Sequence, residues 1–281
     1  MKIIECPRDA MQGLKDFVPT ELKVKYINKL LQVGFDTIDF GSFVSPKAIP
    51  QMADTREVLD QLNLGGDKSK LLAIIANVRG AEEASDFEEI DYLGYPLSLS
   101  ETFQQRNTNR SISDAFDNLA EIQELCEAND KGLVVYLSMG FGNPYGDPYE
   151  PDYVGQFVDR LDALEVDVIS LSDTIGIANP EIIKSTFTSI IPRFPHIEFG
   201  AHLHSNPLTT REKIIAAHEA GCRRIDGAIK GFGGCPMAKD ELVGNMATET
   251  ILETLEFKGI ELEIDREAFD EALVIANEIF L

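Results

Sequence analysis

Three places in this sequence carry side chains able to bind a cation or brace a negative charge. They are Arg8-Asp9 near the start, His202-Leu203-His204 well past the middle, and Asn245 after a loop that begins at Cys235. Residues two apart on a strand project to the same side, so His202 and His204 can reach one point in space. With Asp9 and Asn245 they form a donor set of two imidazoles, one carboxylate and one amide oxygen. Such a set suits a borderline-to-hard divalent cation with positions left open for a substrate. The chain has only four histidines, which makes a pair at strand spacing informative. His196 precedes its strand and His218 falls on a helical segment, and both read as structural.

The other polar residues that stand out each have a plain reading beside the chemical one. Arg8-Asp9 alone could be a surface ion pair; beside a metal, Asp9 becomes a ligand and Arg8 a fixed, always charged donor for a developing oxyanion. Gly231-Phe232-Gly233-Gly234-Cys235-Pro236 reads either as a tight turn with an incidental thiol or as a loop that closes over a site and delivers Cys235 as an acid or base. Lys239 lies too far along for a P-loop. Asp173 could cap a following helix or face a site, and Asp39 could pair with Arg8. Glu82-Glu83 and Glu88-Glu89 fit a solvated face.

Groups scattered over such a length need a fold that gathers them. β-prone runs fall at Lys2–Cys6, Thr37–Phe40, Leu71–Ala76, Glu89–Leu97, Leu133–Ser138, Val166–Leu171, Ile197–Ala201 and Arg224–Ala228. Helical apolar spacing follows them at Thr20–Val33, with Thr20 as its cap, and at Ile49–Leu62, a short segment from Gly80, Ser111–Asn129, Asp152–Leu164, Pro180–Ile191, Pro207–Ala220 and Leu242–Phe257. About eight βα units imply a parallel sheet with right-handed crossovers, and that number in roughly 250 residues is the size of a closed (β/α)8 TIM barrel. An open doubly wound sheet would announce itself with a Gly-rich first turn; here that turn carries Arg8-Asp9. Residues 261–281 read as an additional C-terminal helix packed on the barrel, making one domain over 1–281. Barrel active sites lie at the C-terminal ends of the strands, where Arg8, Asp9, Asp39, Asp173, His202 and His204 all fall.

Bulk properties narrow the partners. Twenty-five Lys and Arg against 48 Asp and Glu give a net charge of −23, which disfavours nucleic acid and anionic membranes. No apolar run approaches a membrane span, and no secretory signal opens the chain. Four well-separated cysteines with no CxxC fit reduced thiols and a cytoplasmic protein. A homodimer is compatible with the sequence, which does not specify an assembly.

With these pieces in place the chain resembles the 3-hydroxy-3-methylglutaryl-CoA (HMG-CoA) lyase family, within a wider group of metal-dependent barrel lyases and synthases marked by an Arg-Asp motif after strand one and an H-x-H motif on strand seven. The likeness runs over nearly the whole chain. Its most specific stretch is Ser42-Phe43-Val44-Ser45-Pro46-Lys47 with Pro50-Gln51-Met52, joined by Ser100-Glu101-Thr102-Phe103, Asn107-Thr108-Asn109, Ser172-Asp173-Thr174-Ile175-Gly176, Gly233-Gly234-Cys235-Pro236 and Gly244-Asn245-Met246-Ala247-Thr248-Glu249. The resemblance implies a divalent metal, Mg²⁺ or Mn²⁺, on Asp9, His202, His204 and Asn245. It implies catalytic roles for Arg8, Asp39, Asp173 and Cys235, and places Gln12, Ser42 and Asn107 near the substrate or its CoA. The implied reaction is cleavage of HMG-CoA to acetyl-CoA and acetoacetate.

The chain departs from the family pattern at several points. Ala10 stands in place of Gly, Asp39 in place of Glu, Ser205-Asn206 in place of Asp-Thr, Met237 in place of an aromatic and Ala48 in place of Trp, and the loop from Cys235 to Asn245 is longer. Asp39 sets its carboxylate back by roughly 1.5 Å. A related lyase acting on another 3-hydroxyacyl-CoA or 3-hydroxy acid, an acetyl-CoA-condensing synthase, and a protein that binds CoA esters without turnover are the alternative readings.

Overall fold

The computed structural model describes residues 1–65, 69–234 and 243–281. Eight strands are set by β-branched and aliphatic runs: β1 (Lys2–Glu5), β2 (Thr37–Ser42), β3 (Lys70–Ile74), β4 (Tyr92–Ser98), β5 (Gly132–Ser138), β6 (Val168–Asp173), β7 (Glu198–Ser205) and β8 (Arg224–Gly227). Each pairs in parallel with the next, and β8 returns to pair with β1, so the sheet closes into a TIM barrel. Around it run α1 (Pro7–Gln12), α2 (Thr20–Val33), α3 (Thr55–Leu59), α4 (Val78–Ser85), α5 (Glu101–Thr108), α6 (Ile112–Ala128), α7 (Pro151–Asp162), α8 (Pro180–Ile190), α9 (Thr210–Glu219), α10 (Thr248–Phe257) and α11 (Arg266–Phe280).

Alternation along the strands separates two interiors. Ile3, Ile38, Phe40, Ile169, Leu171, Phe199, Ala201 and Ile225 face outward into the main apolar core between barrel and helices. The opposite parity faces the barrel lumen. There Leu72, Ile74, Val134, Tyr136 and Val168 form a smaller apolar cluster, and the wall made by β2, β7 and β8 is polar, with buried Asp39, Arg224, Asp226 and His204. The expected C-terminal helix is α11. It packs on α2, with Tyr26 and Phe35 meeting Phe280 and Phe269 edge to face at 6.4 and 6.3 Å between ring centroids.

Several local expectations change. The helix expected over Ile49–Leu62 is a 3₁₀ turn at Pro50–Met52 followed by α3. Asp54 interrupts it, held by Lys23 at 2.6 Å and Thr20 at 2.8 Å. Thr20 is thus the first residue of α2, and Pro19 takes the cap position. The helix expected from Leu242 starts at Thr248; Leu242 lies outside the described residues, and Gly244–Asn245 form a short strand, β9, antiparallel to β7. β7 runs past Ala201 to Ser205, because Ser172 and Asp173 of β6 pair with His202 and Leu203, and β9 pairs with His204 and Ser205.

Candidate active site

The top of the lumen opens into a cavity of about 370 Å³, lined among others by Arg8, Asp9, His202, His204, Tyr136 and Asn107. Arg8 and Asp9 sit on α1, a helix of only six residues opened by Pro7, whose missing N–H is no loss at a first helical position. Directly after β1, this helix turns both side chains over the barrel mouth.

Arg8 is 7% exposed and Asp39 1% exposed. Arg8 Nε donates to both Asp39 oxygens, at 3.1 and 3.0 Å, and Nη2 reaches Oδ2 at 2.5 Å. On its other side Nη1 meets Asp9 Oδ1 at 3.1 Å and Gln12 Oε1 at 2.9 Å, and Gln12 Nε2 donates to the same Asp9 oxygen at 2.8 Å. The guanidinium is held by a fork on one carboxylate and a bond to a second, which fixes its plane and keeps it charged despite burial. Burial pushes Asp39 up to about 6, against the pull of Arg8. Burial also opposes the charge on Asp9, yet Arg8, the two imidazoles and Asn245 hold its carboxyl below the usual carboxylate range.

The two histidines share one face of β7. His202 Nδ1 lies 3.1 Å from Asp226 Oδ2, and His204 Nδ1 lies 3.0 Å from the Thr174 carbonyl oxygen. The Thr174 carbonyl can only accept, so His204 Nδ1 carries the proton and its Nε2 presents a lone pair. Burial opposes a charge on His202, yet its bond to Asp226 and the nearby Asp9 raise its pKa above the ordinary imidazole value, so its Nε2 lone pair is free only when the ring is neutral. His204 is 3% exposed, and its Nε2 is buried without a partner among the described residues. Burial and the neighbouring His202 depress His204 to about 4, which keeps it neutral. Asp9, His202 and His204 each offer a donor atom within 4.8 Å of the others. Carboxylate and imidazole donors oriented by outer acceptors fit a divalent cation, and an orphaned buried imidazole nitrogen is the mark of such a site.

Asn245 arrives from the other end of the chain. Paired with His204 through β9, it donates from Nδ2 to Asp9 Oδ2 at 2.6 Å and to the Phe232 carbonyl at 2.9 Å. Gly233, at φ +97°, lies so close that an added Cβ would stand 2.6 Å from Asn245 Nδ2; only glycine fits that approach.

The remaining sequence candidates are distributed differently. Gln12 and Asn107 line the cavity. Ser42 is buried at the end of β2, accepting from the Val44 N–H at 3.1 Å, and borders a smaller neighbouring cavity. Asp173 has the outward parity on β6: it accepts from Lys213 at 2.9 Å and from the N–H groups of Ile177 and Ala178 at 3.0 Å each. It reaches the site only through Lys213, whose Nζ also donates to the His204 carbonyl at 2.7 Å. Cys235 lies outside the described residues. Of the histidines read as structural, His196 pairs with half-buried Asp162 at 2.6 Å, and His218, on α9, sits beside Arg223 in the loop that follows.

Sequence reasoning passed over Asp226, Tyr136 and Lys213. Asp226 could have been found as a charged residue at an inward position of the eighth strand, two residues from inward Arg224. Tyr136 has no such signal, because a tyrosine in a β-run is ordinary.

The family model described as HMGL-like matches residues 2–274. The chain is 32% identical over 276 residues to the mitochondrial hydroxymethylglutaryl-CoA lyase of Mus musculus, covering 97% of this chain and 83% of that protein. It is equally identical to the cytoplasmic 3-hydroxy-3-methylglutaryl-CoA lyase of Rattus norvegicus, over 97% of this chain and 79% of that one. Among solved structures, an HMG-CoA lyase from Acinetobacter baumannii in complex with coenzyme A and 3-methylmalate superposes with a TM-score of 0.91 at 30% identity, over 99% of this chain and 90% of that chain.

Proposed function

Because the chain belongs to the HMGL-like family, we propose that it is a metal-dependent carbon–carbon lyase that cleaves HMG-CoA to acetyl-CoA and acetoacetate. The observation that carries this reading is the facing of two parts in one cavity: Asp9, His202 and His204 converge on a point, and beside them stands a guanidinium braced by Asp39, Asp9 and Gln12. Bound by Asp9, His202, His204 and the amide oxygen of Asn245, Mg²⁺ or Mn²⁺ would supply Lewis acidity that makes the 3-hydroxyl proton cheaper to remove. Arg8 serves the other fragment. As the C2–C3 bond breaks, its electron pair passes to the thioester half, and the negative charge grows on the thioester oxygen, where a fixed, permanently protonated guanidinium stabilises it.

Asp39 and Gln12 keep that fork from rotating away. Asp226 holds the proton on His202 Nδ1, and the Thr174 carbonyl does the same for His204, so each ring, when neutral, turns Nε2 and not an N–H to the ion. Asp173 acts behind this layer by anchoring Lys213 under the His204 carbonyl. The hydroxyl proton leaves to solvent; the carbanion takes one at C2, where Cys235 is the acid we assign and its thiolate regains a proton from solvent, with Asn107 and Ser42 towards the CoA end. The cytoplasm is the compartment we assign, in keeping with Cys6, Cys126 and Cys222, which are free thiols. Among the described residues no helix is long and apolar enough to cross a membrane.

A second reading has one specific observation behind it. Ala48 lines the cavity at a position where the family commonly carries tryptophan, which leaves room for a larger acyl chain. A coupled assay for acetoacetate separates the two. Chelated protein is expected to be inactive and to recover with Mg²⁺ or Mn²⁺. No acetoacetate at any metal concentration, with turnover of a longer 3-hydroxyacyl-CoA, would replace the first reading by the second.

A further inference from the structure

Below the cation donors, the barrel lumen holds a second cluster, which shares His202 with them and adds Cys6, a residue the lyase chemistry does not use. Cys6 Sγ, a nitrogen of His202 and a carboxylate oxygen of Asp226 lie within 4.8 Å of one another. Cys6 is fully buried and Asp226 is 2% exposed. Asp226 Oδ2 accepts from His202 Nδ1 at 3.1 Å and lies 3.5 Å from Ser170 Oγ. Its other oxygen, Oδ1, is buried and has no partner among the described residues, and the same holds for the hydroxyl of Tyr136, whose ring stands edge-on to His202 at 5.6 Å. A buried carboxylate oxygen without a donor is costly and marks a place where something binds.

We propose that Cys6, His202 and Asp226 form a site for a thiophilic divalent cation such as Zn²⁺ or Cd²⁺, and that filling it excludes the hard catalytic cation above. Thiolate, imidazole and carboxylate are the donors such ions take, with bonds of about 2.0–2.3 Å for zinc, whereas Mg²⁺ and Mn²⁺ prefer oxygen. His202 lines the open cavity, which supplies the way in. On binding, the Cys6 S–H bond breaks, its proton leaves to solvent, and the sulfur pair forms the metal bond.

Exclusion follows from His202 itself. A neutral imidazole has one lone-pair nitrogen. The upper ion needs the pair on Nε2 with the proton on Nδ1 facing Asp226. The lower ion takes the pair on Nδ1, so the proton must move to Nε2 and the upper site loses a ligand.

The exclusion rests on the reading of the upper donors as a hard-cation site; the thiolate bond does not. The test is a Cd²⁺ titration of metal-free full-length Cys235→Ser protein, read by the ultraviolet charge-transfer absorption of a cadmium–thiolate bond. The expected result is one thiolate's absorption per chain, lost when Cys6→Ser is added, with a midpoint that moves to higher Cd²⁺ as Mn²⁺ is raised. In parallel, Cd²⁺ is expected to inhibit Mg²⁺-supported turnover of the otherwise unaltered protein and to lose this effect in Cys6→Ser, which retains its Mg²⁺-supported rate. No absorption, or absorption that survives Cys6→Ser, would overturn the site. Should Cys6→Ser fail to fold, an absorption indifferent to Mn²⁺ would overturn the exclusion. Loss of Mn²⁺ dependence of turnover alone would instead sink the lyase reading and leave the cadmium–thiolate signal standing.

Discussion

Asp226 shows how a residue that touches no substrate can decide whether a site exists. Its Oδ2 fixes the proton on His202 Nδ1 and thereby aims the Nε2 lone pair at Asp9 and His204. In Asp226→Asn the amide can turn its N–H₂ towards Nδ1, which then keeps its lone pair and sends the proton to Nε2, the wrong tautomer for the ion. Affinity for Mn²⁺ is expected to fall about 10- to 100-fold, with activity recovering at high Mn²⁺. Calorimetric titration with Mn²⁺ checks this, and unchanged affinity would mean that another contact orients His202. The same logic explains why Arg8 has three partners. Asp39, one methylene shorter than the family's glutamate, still reaches the guanidinium through a fork, with Nη2 and Oδ2 at 2.5 Å.

Among the elements, β7 and its neighbours carry the precision of the site. Lys213 on α9 is buried and ties β6 to β7, donating to Asp173 of β6 at 2.9 Å, to the Gly176 carbonyl of the loop after it at 3.1 Å and to the His204 carbonyl of β7 at 2.7 Å. Lys213→Met leaves a buried carboxylate with no counter-charge, at a cost of about 3–5 kcal/mol. Adding Asp173→Asn is expected to recover much of that loss, and urea unfolding of the two single variants and the double variant measures the coupling. Additive losses would mean that the pair acts only by filling space.

The same elements show what a sequence can reveal. The eight strands are legible because each buries a run of β-branched and aliphatic residues before a helical pattern, and the histidine pair because strand period two leaves no other geometry. Helix α1, at six residues, is too short for any period to register, and β9, at two residues, exists only through its pairing with β7. Asp173 illustrates a further limit. Its place at a strand end is visible in the sequence, but parity turns it outward, and Ser172 and Thr174 line the cavity instead. Lys213 is a lysine on an amphipathic helix until the fold buries it.

At the scale of the whole molecule, acidity meets burial. The chain carries a net charge of −23, and among the residues lining the cavity Arg106, exposed and stacked over Tyr145 at 4.8 Å, is the cation nearest solvent. One carboxyl stands apart from this field. Glu5, fully buried on the outward face of β1, accepts from the Ile229 N–H at 2.8 Å and the Thr248 hydroxyl at 2.6 Å, and burial pushes its pKa from 4.5 up to about 8. The folded protein therefore keeps a proton that the unfolded chain releases. The resulting stability is complete below about pH 4.5 and is lost as pH rises through about 8, a change on the order of 5 kcal/mol. Glu5→Gln keeps an acceptor oxygen for the Ile229 N–H and presents an N–H donor to the Thr248 hydroxyl, where the protonated carboxyl has its O–H, without a titration. Its stability is expected to vary less than that of the parent between about pH 5 and about pH 8 in urea unfolding, and parallel pH profiles would show that Glu5 is ionised when folded.

Asp9 and Asn245 are stitched together across 236 residues of chain. During synthesis the early carboxylate waits on the ribosome while strand after strand is laid down, and its amide partner emerges only after the eighth. A polypeptide cut short before that point can carry Asp9 and both imidazoles of strand seven but lacks the amide that binds the carboxylate. The brace on the early carboxylate is thus supplied only by the finished barrel.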